Sequence, residues 1–291
     1  MIDAAIAKVQ RLSCFEDPTE IVPLGGGITN INLRVSDAGK TFVVRLGEDI
    51  PEHGVMRWNE LALSRAAHKA GISPAVHHAE PGVLVLDFVP ARTFAEADVR
   101  NAQNLARVIA LMKTAHNAVA AHLTSPVLGF WPFQVNRTYI TQLRKAGSPH
   151  VSQLSMMLED LAQLEVATGP VTLVIGHNDM LAANILDDGA QLWLIDWEYG
   201  GFNTPLFDLA GLAGNNALSE EQERQALSQY FETSAEQYWR PYQAMKCVSL
   251  MRETLWSMTS EIHSRLDFDY ASYTAENSDR LAAALADFRN S

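Results

Sequence analysis

Cysteine is scarce in this 291-residue chain, and the two that occur, Cys14 and Cys247, lie far apart. This spacing excludes a disulfide framework and a cluster of cysteine metal ligands. Apolar runs are short, and none reaches the roughly 18 residues that a membrane-spanning helix needs. The first residues do not place a basic segment before an apolar block, so we expect no signal peptide and a cytoplasmic protein.

Basic residues are also few, since 22 Lys and Arg stand against 34 Asp and Glu and give a formal net charge of −12. Nucleic acids and anionic membrane surfaces bind clustered positive charge, so we expect neither as a partner. A cationic substrate is compatible with this balance. Apolar residues make up 47% of the chain, which allows a sizeable packed core.

The first 90 residues combine short β-rich runs with helical segments. A Ser-Asp-Ala-Gly-Lys turn separates two of the β-rich runs, which is typical of a hairpin. We therefore predict an antiparallel lobe over residues 1–90. Its predicted strands cover residues 20–24, 30–35, 41–46 and 83–89, and its predicted helices cover residues 2–12 and 54–70.

Helical periodicity dominates the chain after Pro90, over residues 98–122, 135–166 and 219–289. One β-like island interrupts it, with residues 184–186 and 191–195 flanking a turn. We expect residues 91–291 to form a second, mainly helical lobe. The predicted fold class is α+β and bilobal, with a small antiparallel-sheet N-lobe, a large helical C-lobe and a ligand cleft between them.

The most informative segment is His177-x-Asp179-x-x-x-x-Asn184, which lies between an apolar run and the predicted β-hairpin. A carboxylate such as that of Asp179 can orient and deprotonate a hydroxyl nucleophile. The amide oxygen of Asn184 is a hard ligand suited to Mg²⁺. We predict that His177 braces the backbone of this loop. The alternative is that the Asp and Asn residues only cap the loop.

Asp196 follows the hairpin turn, and the hairpin folds back so that Asp196 returns close to Asn184. Two oxygen ligands would then meet with room left for phosphate oxygens and water. Magnesium is usually held in this way where phosphoryl groups are transferred. The combination of the loop and the hairpin therefore favours a phosphoryl-transfer site over loop capping.

Two features of the first lobe complement this site. The glycine-rich turn that contains Gly26, Gly27, Thr29 and Asn30 would let backbone N–H groups approach phosphates. Arg45 lies within an apolar strand and needs a partner, for which Glu60 on the following helix is the natural candidate. The alternatives are a plain turn and a surface salt bridge. No G-x-x-x-x-G-K-[ST] motif occurs, which disfavours a P-loop fold.

These motifs resemble those of the choline/ethanolamine kinases, within the aminoglycoside-phosphotransferase-like superfamily of protein-kinase-like folds. The resemblance lies in H-x-D-x-x-x-x-N and in Ile195-Asp196-Trp197-Glu198-Tyr199, with residues 86–90 similar to the hinge. It implies that ATP and Mg²⁺ are the cofactors. Asp179 would be the base, Asn184 and Asp196 the Mg²⁺ ligands, Arg45 a phosphate contact, and the backbone of Phe88 and Val89 an adenine contact.

Tyr199, Trp256 and Tyr273 resemble the aromatic cage that holds choline in this family, since aromatic faces attract a quaternary ammonium. The alternative is that Trp256 and Tyr273 are core aromatics. Glu253 stands where the family usually has a second Trp. This carboxylate favours a primary or protonated amine with N–H donors. Glu198 would add to the acidic surface or serve the metal.

Asp196 is not followed by the long segment ending in A-P-E that protein kinases carry, so we expect a small acceptor alcohol. Asp208 would brace the loop of residues 177–184. The predicted activity is ATP- and Mg²⁺-dependent phosphorylation of choline, ethanolamine or a related amino alcohol by a monomer or homodimer. Alternatives are a kinase for thiamine, an aminoglycoside or a sugar-like alcohol. A silent pseudokinase is disfavoured by the intact set Asp179, Asn184 and Asp196.

Overall fold

The computed structural model describes residues 2–25, 30–264 and 268–290. Its N-terminal part is a five-stranded antiparallel sheet in the order β1-β2-β3-β5-β4. The first helix is shorter than predicted, because it ends at Val9. The elements are α1 Ile2–Val9, β1 Thr19–Leu24, β2 Ile31–Asp37, β3 Lys40–Leu46, α2 Arg57–Lys69, β4 Val76–Glu80 and β5 Val83–Asp87.

The β2–β3 hairpin is confirmed, with Asp37 paired to Lys40 across a two-residue turn. Ala38 and Gly39 both have positive φ, 46° and 75°, as tight hairpin turns require. The sequence prediction was wrong in omitting β4. Its residues Val-His-His-Ala-Glu contain only two apolar side chains, so the segment carries no clear strand pattern. It becomes a strand of the sheet because it pairs with β5.

The remainder of the chain is predominantly helical. The predicted helical segment 219–289 is divided into three helices. A further helix, α7, begins at Pro205 and was not predicted. None of the helices in the described ranges is both long and apolar enough to span a membrane. The elements are β6 Arg92–Thr93, α3 Glu96–Arg100, α4 Ala102–Ala118, α5 Pro132–Ala146, α6 Leu154–Thr168, β7 Val174–Gly176, β8 Ile185–Asp187, β9 Leu192–Leu194, β10 Gly201–Asn203, α7 Pro205–Asn215, α8 Glu220–Phe231, α9 Glu236–His263 and α10 Tyr270–Asn290.

Buried apolar side chains of the described residues form two separate cores. The smaller core packs α1 against one face of the sheet, with Val9, Leu33 and Val44 fully buried. The larger core joins the helices of the C-terminal part and includes Leu63 and Ala67 from α2. Helix α2 therefore belongs by its packing to the helical part, although it lies between two strands in the sequence.

Asp208, in the first turn of α7, holds the backbone that leads into the loop of residues 177–184. Its carboxylate accepts the N–H of His177 at 2.8 Å and that of Asn178 at 2.7 Å. His116 Nε2 lies 2.8 Å from the same carboxylate. Burial alone would raise the pKa of Asp208, but the hydrogen bond and charge of His116 and the charge of His177 lower it overall. The carboxylate is thus kept ionised in a buried site.

His53 connects the N-terminal part to the helices. Its ring lies against Trp256 with centroids 5.1 Å apart. Its Nδ1 is 3.2 Å from the Tyr139 hydroxyl, and its Nε2 is 3.2 Å from the Ser260 hydroxyl. Burial, together with the nearby positive charge of Arg252, lowers the pKa of His53 to about 3. The ring is therefore neutral in the folded protein near neutral pH.

In the wild type, the backbone N–H groups of His177 and Asn178 donate to the Asp208 carboxylate. In Asp208→Asn, one of these N–H groups would face the amide N–H group of the new side chain. We expect Asp208→Asn to lower the free energy of unfolding by roughly 2–4 kcal/mol, because buried donors lose a charged partner. The measurement is urea unfolding of the variant against the wild type. Asp279→Asn, at an exposed position on α10, is the matched control and should change stability little. Equal stability of both variants would contradict the bracing role.

The low pKa of His53 predicts a loss of stability in acid. Above about pH 6.5 the ring is neutral in both states, and below it only the unfolded chain takes up the proton. Stability therefore falls as pH drops from about 6.5 towards 3, by about 1–2 kcal/mol at pH 5. His53→Gln should remove that part of the pH dependence in urea unfolding at pH 8 and pH 5, whereas His122→Gln should not. An unchanged pH dependence in His53→Gln would contradict the assignment.

Candidate active site

A cavity of about 320 Å³ lies between the sheet and the helical part. It brings Phe88 and Val89, just after β5, into one space with Arg45, Asn184 and Asp196. The predicted adenine, phosphate and metal contacts thus line a single cavity. Gly25 also lines it, whereas the predicted phosphate-binding residues Gly26, Gly27 and Thr29 lie outside the described residues.

The loop of residues 177–184 starts where β7 pairs with β10. Asn178 adopts a left-handed backbone with φ of 68°. Its side chain stabilises this conformation by donating to the Tyr199 carbonyl at 2.9 Å and accepting from Asn203 Nδ2 at 2.8 Å. Strained backbone held by such contacts is common at functional sites. The sequence analysis did not single out Asn178, although Asn tolerates positive φ better than most residues.

Asp179 and Asn184 contact each other directly. Asn184 Nδ2 donates to the Asp179 backbone carbonyl at 2.9 Å and to its Oδ2 at 3.1 Å. Burial raises the pKa of Asp179 to about 8, and the charge of Arg252 opposes this shift. The negative charges of Glu253, Asp196 and Glu198 add to the rise. A carboxyl group with this pKa is suited to exchanging a proton near neutral pH.

His177 links the same loop to the segment before Asp196. Its Nε2 lies 2.9 Å from the Ile195 carbonyl oxygen, and its ring packs against Trp197 with centroids 4.9 Å apart. The side chain is fully buried, which lowers its pKa. The hydrogen bond from Ile195 N–H to the Asn184 carbonyl, 3.0 Å long, joins the two segments as well.

Asp196 lies immediately beyond the β8–β9 hairpin and also has positive φ, 69°. Its Oδ1 accepts a hydrogen bond from Arg45 Nη2 at 2.7 Å. Burial would raise the pKa of Asp196, but the charge and hydrogen bond of Arg45 lower it overall. Asp196 is therefore an ionised carboxylate in the cavity that Asn184 also lines.

These residues fit a magnesium ion that completes its coordination with phosphate oxygens. Asn184 Nδ2 donates both of its hydrogen bonds to Asp179, so the carbonyl Oδ1 would be the atom available to a metal ion. No group of three or more His, Cys, Asp or Glu residues that could hold a metal occurs in the described ranges. Mg²⁺ typically binds one or two carboxylates together with substrate phosphates, so one carboxylate and one amide oxygen suit it.

Arg45 is the centre of a buried charge network. Its Nε lies 3.1 Å from Glu60 Oε1, and its Nη2 lies 3.6 Å from Glu198 Oε2. Arg57 joins the network through Nη1, at 2.6 Å from Glu60 and 3.1 Å from Glu198. Arg57 was not predicted, although its position three residues before Glu60 on α2 is the spacing of a helical ion pair.

Glu198 belongs to this network, and Asn30 Nδ2 also donates to its Oε2 at 3.1 Å. Burial raises the pKa of Glu198, and the charge of Asp196 adds to the rise. Its contacts with Arg45, Arg57 and Asn30 lie towards the N-terminal part. Glu198 also lines a cavity of about 300 Å³ with Tyr199, so it adjoins the Arg45 network and a predicted substrate residue.

The three aromatic residues predicted to hold the substrate lie together. Trp256 Nε1 donates to the Tyr199 hydroxyl at 2.9 Å, and the Trp256 and Tyr273 rings meet edge to face with centroids 6.4 Å apart. The Tyr273 hydroxyl donates to Glu253 Oε1 at 2.8 Å. Trp256 and Tyr199 are almost fully buried.

Arg252, which the sequence analysis did not select as a site residue, also lies in this group. Its guanidinium carbon is 4.3 Å from the centroid of the Tyr199 ring, and its Nη1 donates to Glu253 Oε2 at 2.7 Å. Both oxygens of Glu253 thus have a partner within the protein. The sequence signal was the Arg252-Glu253 pair itself, two opposite charges next to each other in a largely apolar stretch.

Comparisons with known proteins bear on the family and the fold of this chain. A sequence profile described as choline/ethanolamine kinase matches residues 21–238. A probable ethanolamine kinase of Arabidopsis thaliana is 24% identical over 94% of this chain and 78% of its own. A crystal structure of a choline/ethanolamine kinase family protein from Mesorhizobium loti has a TM-score of 0.78 and 25% identity, covering 100% of this chain and 99% of that one.

The GDP complex of wild-type aminoglycoside 2′-phosphotransferase-IIIa shares the fold, with a TM-score of 0.64, 14% identity and 98% coverage of each chain. The predicted α+β fold of protein-kinase-like type is confirmed by these neighbours together with the five-stranded sheet and the helical remainder. The profile match spans most of the chain. The protein belongs to the choline/ethanolamine kinase family, and is a phosphotransferase with an alcohol group as acceptor.

Proposed function

We propose that this phosphotransferase moves the γ-phosphoryl group of ATP to the hydroxyl of choline, ethanolamine or a related amino alcohol in a Mg²⁺-dependent reaction. The observation that carries the proposal is the direct contact of Asp179 with Asn184, in a cleft that Asp196 and Arg45 also line. A proton acceptor, oxygen ligands and a phosphate-binding cation are thus available at one end of the cavity. Family membership supports the amino alcohol.

Asp179 is the proposed base. The substrate hydroxyl donates a hydrogen bond to its carboxylate and attacks the γ-phosphorus in line. The new O–P bond forms as the bond from the γ-phosphorus to the bridging β-phosphate oxygen breaks, so ADP leaves and the hydroxyl proton passes to Asp179. The carboxylate must be ionised for this role. Binding of positive charge in the cleft would lower its raised pKa and favour that form.

The nucleotide would bind in the cavity between the proposed N-terminal lobe, residues 1–90, and the proposed C-terminal lobe, residues 91–291. The backbone after β5 at Phe88 and Val89 would meet the adenine, and Arg45 the phosphates. The bound GDP of the structurally similar aminoglycoside phosphotransferase supports nucleotide use. Asn184 and Asp196 would hold Mg²⁺, which supplies charge stabilisation on the transferring phosphoryl group. Glu60 and Glu198 would fix the orientation of Arg45.

The amino alcohol would bind between Asp179 and the cluster of Tyr199, Trp256 and Tyr273. Aromatic faces hold a cationic amine by roughly 0.5–2 kcal/mol each. Glu253 lies beside Tyr273 and accepts a hydrogen bond from its hydroxyl. A panel assay of Mg²⁺-dependent ADP release with choline, ethanolamine, thiamine and kanamycin tests the proposal. Turnover of kanamycin or thiamine alone would favour those kinases. Tight ATP binding without turnover of any alcohol would indicate a pseudokinase.

Asp179→Asn should abolish turnover, with activity at least roughly a hundredfold below wild type, because the proposed acceptor of the hydroxyl proton is lost. The measurement is ADP release with the best alcohol of the panel, alongside the melting temperature. Asp188→Asn, in the exposed hairpin turn, serves as the control and should keep its activity. Residual activity above a few per cent in a stably folded Asp179→Asn variant would contradict the assignment of the base.

Asp196→Asn should raise the Mg²⁺ concentration needed for half-maximal activity at least roughly tenfold, because a charged ligand becomes neutral. Asn184→Asp keeps an oxygen ligand and should raise that concentration less. Both variants are titrated with Mg²⁺ at saturating ATP. If the two variants required the same Mg²⁺ concentration as the wild type, neither residue could be a metal ligand.

A further inference from the structure

The aromatic face that a cationic substrate would use is already covered by a cation of the protein. The Arg252 guanidinium lies over the Tyr199 ring, with its carbon 4.3 Å from the ring centroid. Phe130 is a second aromatic neighbour at 6.0 Å. A guanidinium over a tyrosine ring makes the same cation–π contact that a substrate ammonium would make. A trimethylammonium group therefore cannot use this face of Tyr199 while Arg252 remains there.

Glu253 is also less available to a substrate amine than its sequence position indicates. Its Oε2 accepts from Arg252 and its Oε1 accepts from the Tyr273 hydroxyl. The charge of Glu253 is balanced by Arg252 at a separation of 2.7 Å. This pair contributes no net negative charge to the pocket, so the pocket is less selective for cations than the sequence predicted.

Arg252 itself has hydrogen-bonding capacity that is not used. Its side chain is 6% exposed, yet Nε and Nη2 have no partner among the described residues. Buried polar groups in folded proteins nearly always have a partner, and a charged donor left without one is costly. Burial lowers the pKa of Arg252, but the charges of Glu253 and the nearby Asp179 raise it overall, so the group is charged.

Tyr199 connects Arg252 to the catalytic loop. Its ring lies under the Arg252 guanidinium, and its backbone carbonyl accepts a hydrogen bond from Asn178, the residue before Asp179. In the described part of the chain, Arg252 pairs with Glu253 and forms no direct ion pair with Asp179. A substrate whose hydroxyl reaches Asp179 would thus present its other end near Arg252. Two N–H donors on one guanidinium match a carboxylate, which accepts two parallel hydrogen bonds.

We infer that the acceptor alcohol of this enzyme carries a carboxylate that Arg252 binds through Nε and Nη2, so that the substrate class is the hydroxy-amino acids. This inference rests on the proposed function. It assigns a binding residue to the end of the substrate that lies away from the hydroxyl, whose proton Asp179 accepts. The reaction is the same transfer: the side-chain oxygen of the hydroxy-amino acid forms the new O–P bond, ADP leaves, and Asp179 takes the proton. The product is an O-phosphorylated amino acid.

Two matched pairs of substrates isolate the carboxylate. L-Serine differs from ethanolamine only by a carboxylate, and L-homoserine differs in the same way from 3-aminopropan-1-ol. We expect kcat/KM to be on the order of ten- to a hundredfold higher for the carboxylate-bearing member of at least one pair, as for one charge-assisted hydrogen-bonded contact. The assay is Mg²⁺- and ATP-dependent ADP release by the full chain, with choline as a further acceptor.

Substitution of Arg252 assigns the preference to this side chain. Arg252→Met should reduce the ratio of kcat/KM within the preferred pair to about one, and Arg252→Lys should retain part of it because the charge remains. Arg240→Met is the matched control, since Arg240 lies on the same helix and stacks on Phe288 at 3.6 Å. It should leave the ratio unchanged. Melting temperatures establish that each variant is folded. The ratio of kcat/KM within each substrate pair is measured on the wild type, so it tests the inference even if a variant does not fold.

The outcomes separate the two proposals. Higher kcat/KM for ethanolamine, 3-aminopropan-1-ol or choline than for the hydroxy-amino acids would overturn the inference while leaving the proposed function intact. A preference for the carboxylate that survives in Arg252→Met would also overturn it, because another residue would then bind that group. Absence of turnover with every alcohol would contradict the proposed function and this inference with it.

Discussion

Three carboxylates converge on the Arg45 guanidinium, and the arrangement of the whole cleft depends on that convergence. Arg45 is 7% exposed and is held by Glu60 from α2 and by Asp196 and Glu198 from the segment after β9. Charges this deeply buried are stable only as a complete set, because removal of one leaves the others without compensation. The network therefore fixes the sheet, α2 and the segment after β9 relative to one another. The site is a consequence of tertiary structure more than of any single motif.

Acidic residues outnumber basic ones at this cleft, as they do in the whole chain. Arg45 and Arg57 neutralise part of the charge of Glu60, Glu198 and Asp196, and Asp179 lies beyond them with a raised pKa. Positive charge brought by a ligand would be attracted there, and the ionised form of Asp179 would be favoured at the same time. Ligand binding and ionisation of Asp179 would thus be coupled through electrostatics.

The local sequence pattern predicted the strands and helices whose apolar residues recur with a clear period. The β2–β3 hairpin, the hairpin after Asn184 and the helical character of the C-terminal part follow from periodicity and turn residues. Strand β4 was missed because pairing with β5, not its own composition, makes it a strand. Arg57 and Arg252 were missed for a related reason. Each lies near an acidic residue in the sequence, a spacing that is also common on solvated helix faces. The contacts that bring them into the site, with Glu198 for Arg57 and with the Tyr199 ring for Arg252, leave no pattern in the sequence.

Helix α2 shares its hydrophobic core with the helical part, while Arg45 lies on the sheet. A rigid-body opening of the cleft would consequently move the sheet away from a helix that stays behind. The Glu60 carboxylate would then separate from Arg45, and both groups would have to be solvated again. Because Arg45 and Glu60 are both buried, salt screens their ion pair weakly, so such an opening is expected to depend little on ionic strength.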